Sequence, residues 1–583
     1  MHPTSLTETD YPDIDDTPSP GGPVSYFQDV PITTETLRNG QLHQRFDVVA
    51  FPKEGERLSG TVDGALYPSP PVPLTDRDTT LVQALGTGTH PEAEWLLTLQ
   101  AADGAIIEDT GSTNLYPYMA HYGALGLARA AQALGNSSYS TASWRWLNWY
   151  AAHMDATGGF VNDYTGHSGA WVDSGHADSY DAYAGMFLVA LWATYQADPN
   201  NAKLAALHTK IALAMTALET YTQADGLTWA LPSFTVKYLE DNIEALVGAR
   251  CGAALATILG DGTLAARCTA TADGMARGMG AMWNHDSGTW DFAIHENGVF
   301  AHNDWSDENS QRQQVWATAW GAIASSPEGA ALMAAYQTAL PGWAAQTSPS
   351  YEVLPAWALR RVGQNAAANA AVATLQSNAT STDHAYPWTC ALAGQLVVAA
   401  LGFPPGLPSP GVHFPAGANL LPNSNFSLDS NADGIADGVG NYGSPAMSLH
   451  NLVSGGRYQE MTVTGGGNDM RWDPVAVTPG NYYCFSAYIR ATDLQDNADV
   501  VIKYELVKSN GALSDVTPYG YSISTVKNAV QREYLTVLVP PDAVSFRCVI
   551  GIENATGTIQ VAHPQLEIAG SPTGVPGGAP VFP

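Results

Sequence analysis

The chain has 583 residues, 45% of them hydrophobic and only 14% charged, with 55 Asp and Glu against 24 Lys and Arg. That is ample apolar material for packed cores and more length than one ordinary domain needs. A net charge of −31 repels phosphate backbones and anionic lipid, so nucleic acid and anionic membrane are excluded as partners, and strongly anionic polymers would need a local basic patch or a metal ion.

Residues 1–25 are acidic and rich in Pro, Ser and Thr, the composition of a linker or anchor rather than a core. They show no basic stretch followed by an apolar one, so no signal peptide is visible. No run of 18 apolar residues occurs anywhere, so no membrane insertion is expected. Residues 26–75 contain short alternating runs, RFDVVAF and GTVDGALY, that read as a few strands, and 1–80 is taken as an N-terminal tail with a short β region.

From about residue 91 the hydrophobic period becomes helical. Twelve helices are expected at 91–101, 116–134, 139–154, 179–197, 201–222, 241–258, 262–283, 311–324, 327–339, 351–362, 364–378 and 386–402, paired into six hairpins. Related turns end the first, third, fifth and seventh: QAADGAI, DATGGFV, QADGLTW and HDSGTWD, each with a Gly that stops a helix. The even helices are apolar on most faces, as in YAGMFLVALWATY, and should form an inner ring. Residues 404–418 form a Pro/Gly-rich linker, and 419–583 read as alternating strands of a β-sandwich, jelly-roll-like in type. The expected fold class is therefore multidomain α + β: an (α/α)6 toroid over 81–403, then the sandwich. The five cysteines are too few and too irregularly spaced for a disulfide framework or a zinc site, so buried free thiols are expected.

The connections from outer to inner helices are long and polar, at 102–115, 155–178, 223–240, 284–310, 340–350 and 379–385, and all should open on one rim. They collect acids and aromatics: Glu108 and Asp109; Asp163, Tyr164, Trp171, Asp173 and Asp178; Trp229, Tyr238 and Glu240; His302, Asp304 and Trp305. Aromatic faces stack on sugar rings, and carboxylates bind hydroxyls and serve as general acid and base. HADSYDAYAGMF, residues 176–187, puts Asp178 and Asp181 at the start of an inner helix; Glu108-Asp109 precedes another, YPYMAHYGALGLA; and Glu240-Asp241 opens a third in KYLEDNIEAL. Carboxylates at such positions also serve simply as helix caps and dipole partners. No serine-nucleophile, zinc or nucleotide motif occurs in a suitable context.

With these motifs the chain resembles the six-hairpin glycosidase superfamily over about 310 residues, and the start of the 176–187 helix is similar to the Asp-rich inner helix of family 8 glycosidases. The resemblance implies carboxylate acid–base hydrolysis with Asp178 as one catalytic group. Glu108, Asp109, Asp181, Glu240 and Asp241 are candidates for its partner, and Tyr164, Trp171, Asp173, Trp229, Tyr238, His302 and Trp305 for sugar contacts. In the sandwich, NLLPNSNFSLDSNADGIADG (419–438) resembles the opening of carbohydrate-binding modules. Asp429, Asn431, Asp433 and Asp437 fall at positions one, three, five and nine of a calcium-loop spacing; the alternative is an Asx-rich turn.

The function expected is hydrolysis of a neutral or weakly charged polysaccharide or cell-surface glycan, with no cofactor required for catalysis and calcium in the sandwich. The alternatives are a polysaccharide lyase on the same toroid, or a non-enzymatic carbohydrate-binding or structural appendage such as a virion component. An extracellular or virion-associated location goes with these readings, as does assembly into a larger particle through the N-terminal region.

Overall fold

The computed structural model describes residues 88–583, apart from 156–158, 286, 297, 324–325, 346–352, 415–418, 466, 496–498, 518, 525–528, 554–555 and 574–578, together with four short strands before residue 67. Those strands form two antiparallel hairpins, Ile32–Thr36 with Leu42–Phe46 and Thr61–Val62 with Ala65–Leu66. They belong to a unit distinct from the larger one that holds the helices and the sandwich. The acidic tail 1–25 lies outside the described residues.

Thirteen helices are described: α1 (Pro91–Thr98), α2 (Pro117–Leu134), α3 (Ser137–His153), α4 (Tyr180–Ala197), α5 (Asn201–Ala206), α6 (His208–Tyr221), α7 (Leu239–Ile258), α8 (Gly262–Ala281), α9 (Glu308–Ala319), α10 (Pro327–Ala339), α11 (Leu354–Arg361), α12 (Asn365–Ser381) and α13 (Cys390–Leu401). The expected helix at 201–222 is two pieces, broken at Leu207. The helices at 311–324, 351–362 and 386–402 end or begin several residues from the expected positions, because Asp307, Val353 and Thr389 occupy their N-terminal boundary positions.

The inner ring is α2, α4, α7, α9, α11 and α13, each packed on the next. It closes where α13 meets α2: a Cβ on Gly126 would lie 2.5 Å from the Gly394 Cα. The α4–α7 crossing is equally close, with Gly248 against Gly185. Such approaches require glycine and explain the small residues on the even helices. Helices α4 and α7 are buried almost all round, as befits an inner layer, while α1, α3, α5–α6, α8, α10 and α12 form the outer ring. The chain is thus a toroid of helical hairpins followed by a β-sandwich.

The repeated turns have one physical cause. Gly104, Gly159, Gly226 and Gly288 all take positive φ, between 64° and 107°. At Gly159 and Gly226 a Cβ would also sit 2.2 Å from a neighbouring carbonyl oxygen. These glycines lie five to seven residues past the ends of α1, α3, α6 and α8 and turn the chain inward at the rim.

The sandwich consists of β1 (Val439–Tyr442), β2 (Ala446–Asn451), β3 (Arg457–Val463), β4 (Asn468–Trp472), β5 (Val475–Ala476), β6 (Tyr482–Thr492), β7 (Asp499–Val507), β8 (Tyr519–Ser524), β9 (Val530–Leu538), β10 (Ser545–Glu553) and β11 (Gly557–Glu567). One antiparallel sheet runs β1-β4-β10-β7-β8 with β5 beside β10, the other β2-β3-β11-β6-β9. Alternate residues such as Met461, Phe485, Ile502, Phe546, Ile550 and Ile559 meet between them. All five cysteines are buried, and none is in a disulfide. No described helix is long and apolar enough to cross a membrane.

Sandwich and toroid are in direct contact. Tyr482 donates to Asp225 Oδ2 (2.7 Å), Ser571 Oγ to the Trp283 carbonyl (3.1 Å), and His302 Nε2 lies 3.0 Å from the Tyr534 hydroxyl.

Candidate active site at the toroid mouth

Two small sheets tie the rim loops together. Asn114–Leu115, Tyr164–Thr165 and Val172–Asp173 join the first two loops; Lys237–Tyr238, Ala293–Ile294 and Phe300–Ala301 join the third and fourth. The Tyr180 amide donates to the Ala230 carbonyl (2.8 Å), linking the second loop to the third. Rim geometry is therefore set by backbone pairing rather than by free loops.

Beside the second of these sheets lies a cavity of ≈ 300 Å³ lined by Asp178, Tyr238, Glu240 and Asp241 together with Phe234, Phe292, Arg312 and Gln313. Asp178 is exposed on its lip, just before Ser179, whose side chain accepts from the Ala182 amide and caps α4. Glu240 and Asp241 occupy the first turn of α7. The Glu240 amide donates to Gln313 Oε1 (2.8 Å), which fixes that turn against α9.

The electrostatics follow from crowding acids in a place with little water. Burial, reinforced by the Asp178 charge, raises the Glu240 carboxyl to about 7, with hydrogen bonding to Gln313 and the Arg312 charge working the other way. Asp241 is pushed well above the usual carboxylate range by burial and then by Asp181, Glu240, Glu244 and Asp178. Asp163, which accepts from the Tyr183 hydroxyl (2.9 Å), is raised by burial to about 6. One turn deeper on α7, the fully buried Glu244 accepts from Tyr118 (3.0 Å), Trp316 Nε1 (2.8 Å) and Tyr122, and burial raises it to about 8.

The remaining expected residues lie elsewhere. Asp181 is fully buried, accepting from Ser179 Oγ (2.6 Å), the Ala182 amide (2.9 Å) and Thr228 Oγ1. Glu108 and Asp109 are half-buried in the first rim loop; Glu108 lies 3.4 Å from both Ser112 Oγ and Asn114 Nδ2, and burial raises both carboxyls. Tyr164 and Asp173 face each other in the first small sheet at 3.5 Å. Trp171, Trp229 and Trp305 are half-buried in rim loops but do not line the cavity: Trp171 donates to Asp103 (2.9 Å) and Trp305 packs edge-on to Tyr336 of α10. His302 bridges the buried Asp291 (2.8 Å) and Tyr534, at the junction with the sandwich.

Phe234, Phe292, Arg312, Gln313 and Glu244 were not picked out from the sequence. Glu244 carried a readable signal, a carboxylate four residues after Glu240 on an otherwise apolar inner helix. Arg312 and Gln313 carried none, because only folding brings the start of α9 beside α7.

In the sandwich, Asp429 Oδ2 accepts from the Gly434 amide (3.2 Å), Asp433 Oδ1 from Ile435 (2.8 Å) and Asp437 Oδ1 from Ser430 (2.9 Å), while Asn431 donates to Asp433 (2.8 Å). Among the described residues no three His, Cys, Asp or Glu side chains gather as metal ligands. As placed, the loop is held by Asx-type hydrogen bonds.

No known protein family matches the chain by sequence, and no curated protein does either. Among solved structures it is similar to a GH63 mannosylglycerate hydrolase from Thermus thermophilus, at 12% identity over 55% of this chain and 99% of that one, TM-score 0.40. It is also similar to the CBM22-1 xylan-binding domain of Paenibacillus barcinonensis Xyn10C, at 15% identity over 27% of this chain and 99% of that one, TM-score 0.21. A third similarity is to the enzymatically active domain of bacteriophage CBA120 tailspike protein 4, at 14% identity and TM-score 0.21 over 25% of this chain; the chain spans 21% of that domain's length.

Proposed function

We propose that this protein binds a glycan at the toroid mouth and hydrolyses it, with Glu240 as general acid and Asp178 as the second carboxylate. The observation that carries this reading is the placement of the two in one aromatic-lined cavity, one half-buried and raised to about 7, the other exposed on the lip. A carboxyl that keeps its proton near neutral pH can protonate a glycosidic oxygen, while an exposed carboxylate can activate water or attack the sugar carbon. Phe234 and Tyr238 supply apolar faces for a sugar ring, and Arg312 and Gln313 supply donors for its hydroxyls. Asp181 serves in this reading as a buried support for the start of α4 and Asp241 as part of the cavity wall. Hydrolysis is tested by reducing-sugar release from a panel of neutral and weakly charged polysaccharides, comparing the wild type with Glu240→Gln and Asp178→Asn. Release that survives both substitutions would remove the assignment.

One observation favours the non-enzymatic reading. A cavity of ≈ 300 Å³ holds only one or two sugar rings, and the three rim tryptophans lie outside it. A glycan-binding appendage, extracellular or virion-borne and assembled through its N-terminal region, would retain polymer without releasing reducing ends. The lyase reading needs a base and a cation beside the cleaved bond, for which Tyr238 and Arg312 are the available pair. Products absorbing in the ultraviolet from a new double bond would select it.

A further inference from the structure

A second and larger crevice, of ≈ 660 Å³, opens between the toroid and the sandwich and shares no lining residue with the mouth cavity. Its walls come from the turn 222–226, helix α8, His413 and Phe414 before the sandwich, the turn 478–482 that leads into β6, and residues 568–569 after β11. These walls are held in place by close backbone packing. A Cβ on Gly280 of α8 would lie 1.9 Å from the His413 carbonyl oxygen, and one on Gly570 would lie 1.7 Å from that of Ala281. Asp225, buried, is bound by both Tyr482 and Lys237, so the one acid lining the crevice among the described residues is already paired with a cation.

What remains for a ligand is unusual on a chain of net charge −31. The exposed Arg277 guanidinium has no carboxylate partner among the described residues, and the same crevice is lined by the Phe414 ring, which is 37% exposed and braced edge-on by Trp283 (6.2 Å). Gln223 and Asn481 add amide groups. A cation with an aromatic plate and amides is the set that recognises a sugar bearing a carboxylate: the ring stacks, the guanidinium takes the acid, and the amides take the hydroxyls.

We propose that this crevice is a binding site for an acidic sugar unit, separate from the mouth and formed only because toroid and sandwich are docked. The proposal goes beyond the mouth assignment and shares with it only the reading that the ligand is a glycan. In a weakly charged polymer, such a site would anchor the occasional uronate while a neutral stretch lies at the mouth.

The test is calorimetric titration of the full chain with trigalacturonic acid and with a hyaluronan tetrasaccharide, against neutral α-1,4-linked galactotriose. At least one acidic probe should bind at least tenfold more tightly than the neutral trimer and weaken as salt rises. Arg277→Gln, at an exposed position, should weaken that binding at least tenfold with melting temperature unchanged, and Phe414→Ala should weaken it at least tenfold in a chain that is still folded by circular dichroism. Glu240→Gln should leave it intact even if reducing-sugar release is abolished, which separates this site from the mouth. Equal binding of the neutral trimer, wild-type binding by Arg277→Gln, loss in Glu240→Gln instead, or no binding of either acidic probe would each overturn the proposal.

Discussion

If Glu240 donates the proton, its ionisation sets the alkaline limb of activity. A group raised to about 7 is about nine-tenths protonated at pH 6 and about one-tenth at pH 8. Reducing-sugar release, measured as kcat/KM from pH 5 to 9, should therefore fall by about an order of magnitude between pH 6 and 8. Glu240→Gln keeps the size and the donor geometry but has no proton to transfer, so kcat should drop by about 10²–10⁴-fold and the limb near 7 should vanish. The fold should persist, because the Glu240 backbone amide still donates to Gln313 Oε1 and the substituted side chain keeps the size of the original. Fluorogenic aryl glycosides with good leaving groups need little protonation and should recover much of the lost rate. An unchanged alkaline limb in Glu240→Gln, with activity retained, would refute the assignment.

Other consequences can be measured independently. Burial holds the folded-state pKa of Glu244 near 8 against an ordinary 4.5, so its stabilising contribution is complete below about 4.5 and is lost as pH rises toward about 8. Glu244→Gln should abolish that part of the pH dependence, and a melting-temperature difference from wild type that stays constant from pH 5 to 9 would contradict it. Alanine at Trp171 or Trp229 should weaken polymer retention in affinity gels several-fold with little change in melting temperature, since both are half-buried in rim loops. Calcium binding at Asp429, Asn431, Asp433 and Asp437 would raise the melting temperature as RT ln(1 + [L]/Kd), so identical curves in EDTA and in excess calcium would leave the Asx turn as the account of that loop.

Much of the site was legible before folding, because long polar loops recur at one end of a helical repeat and three acidic pairs open or precede inner helices. What could not be read was which pairs meet. Asp181 and Asp178 are three residues apart, yet one is sealed under Thr228 and the other stands on the cavity lip; a helix start turns successive side chains in different directions, and only the neighbouring loop decides which is covered. Glu108 looks as acidic as Glu240, but it neighbours the start of α13 rather than lining the cavity.

Local chemistry determined the elements. Glycines compelled to positive φ turn the chain after four outer helices, small residues mark the inner ring, and alternation marks the sandwich; each works over a few residues, so each is visible in the chain. Tertiary structure decided the juxtapositions: Arg312 and Gln313 beside Glu240, His302 reaching Tyr534, and a crevice with Arg277 on one wall and Tyr482 on another. Those pairs are separated by about 70 to 230 residues, and no local period records such distances. They exist only because a closed ring of helices and a docked sandwich leave each side chain one place to go.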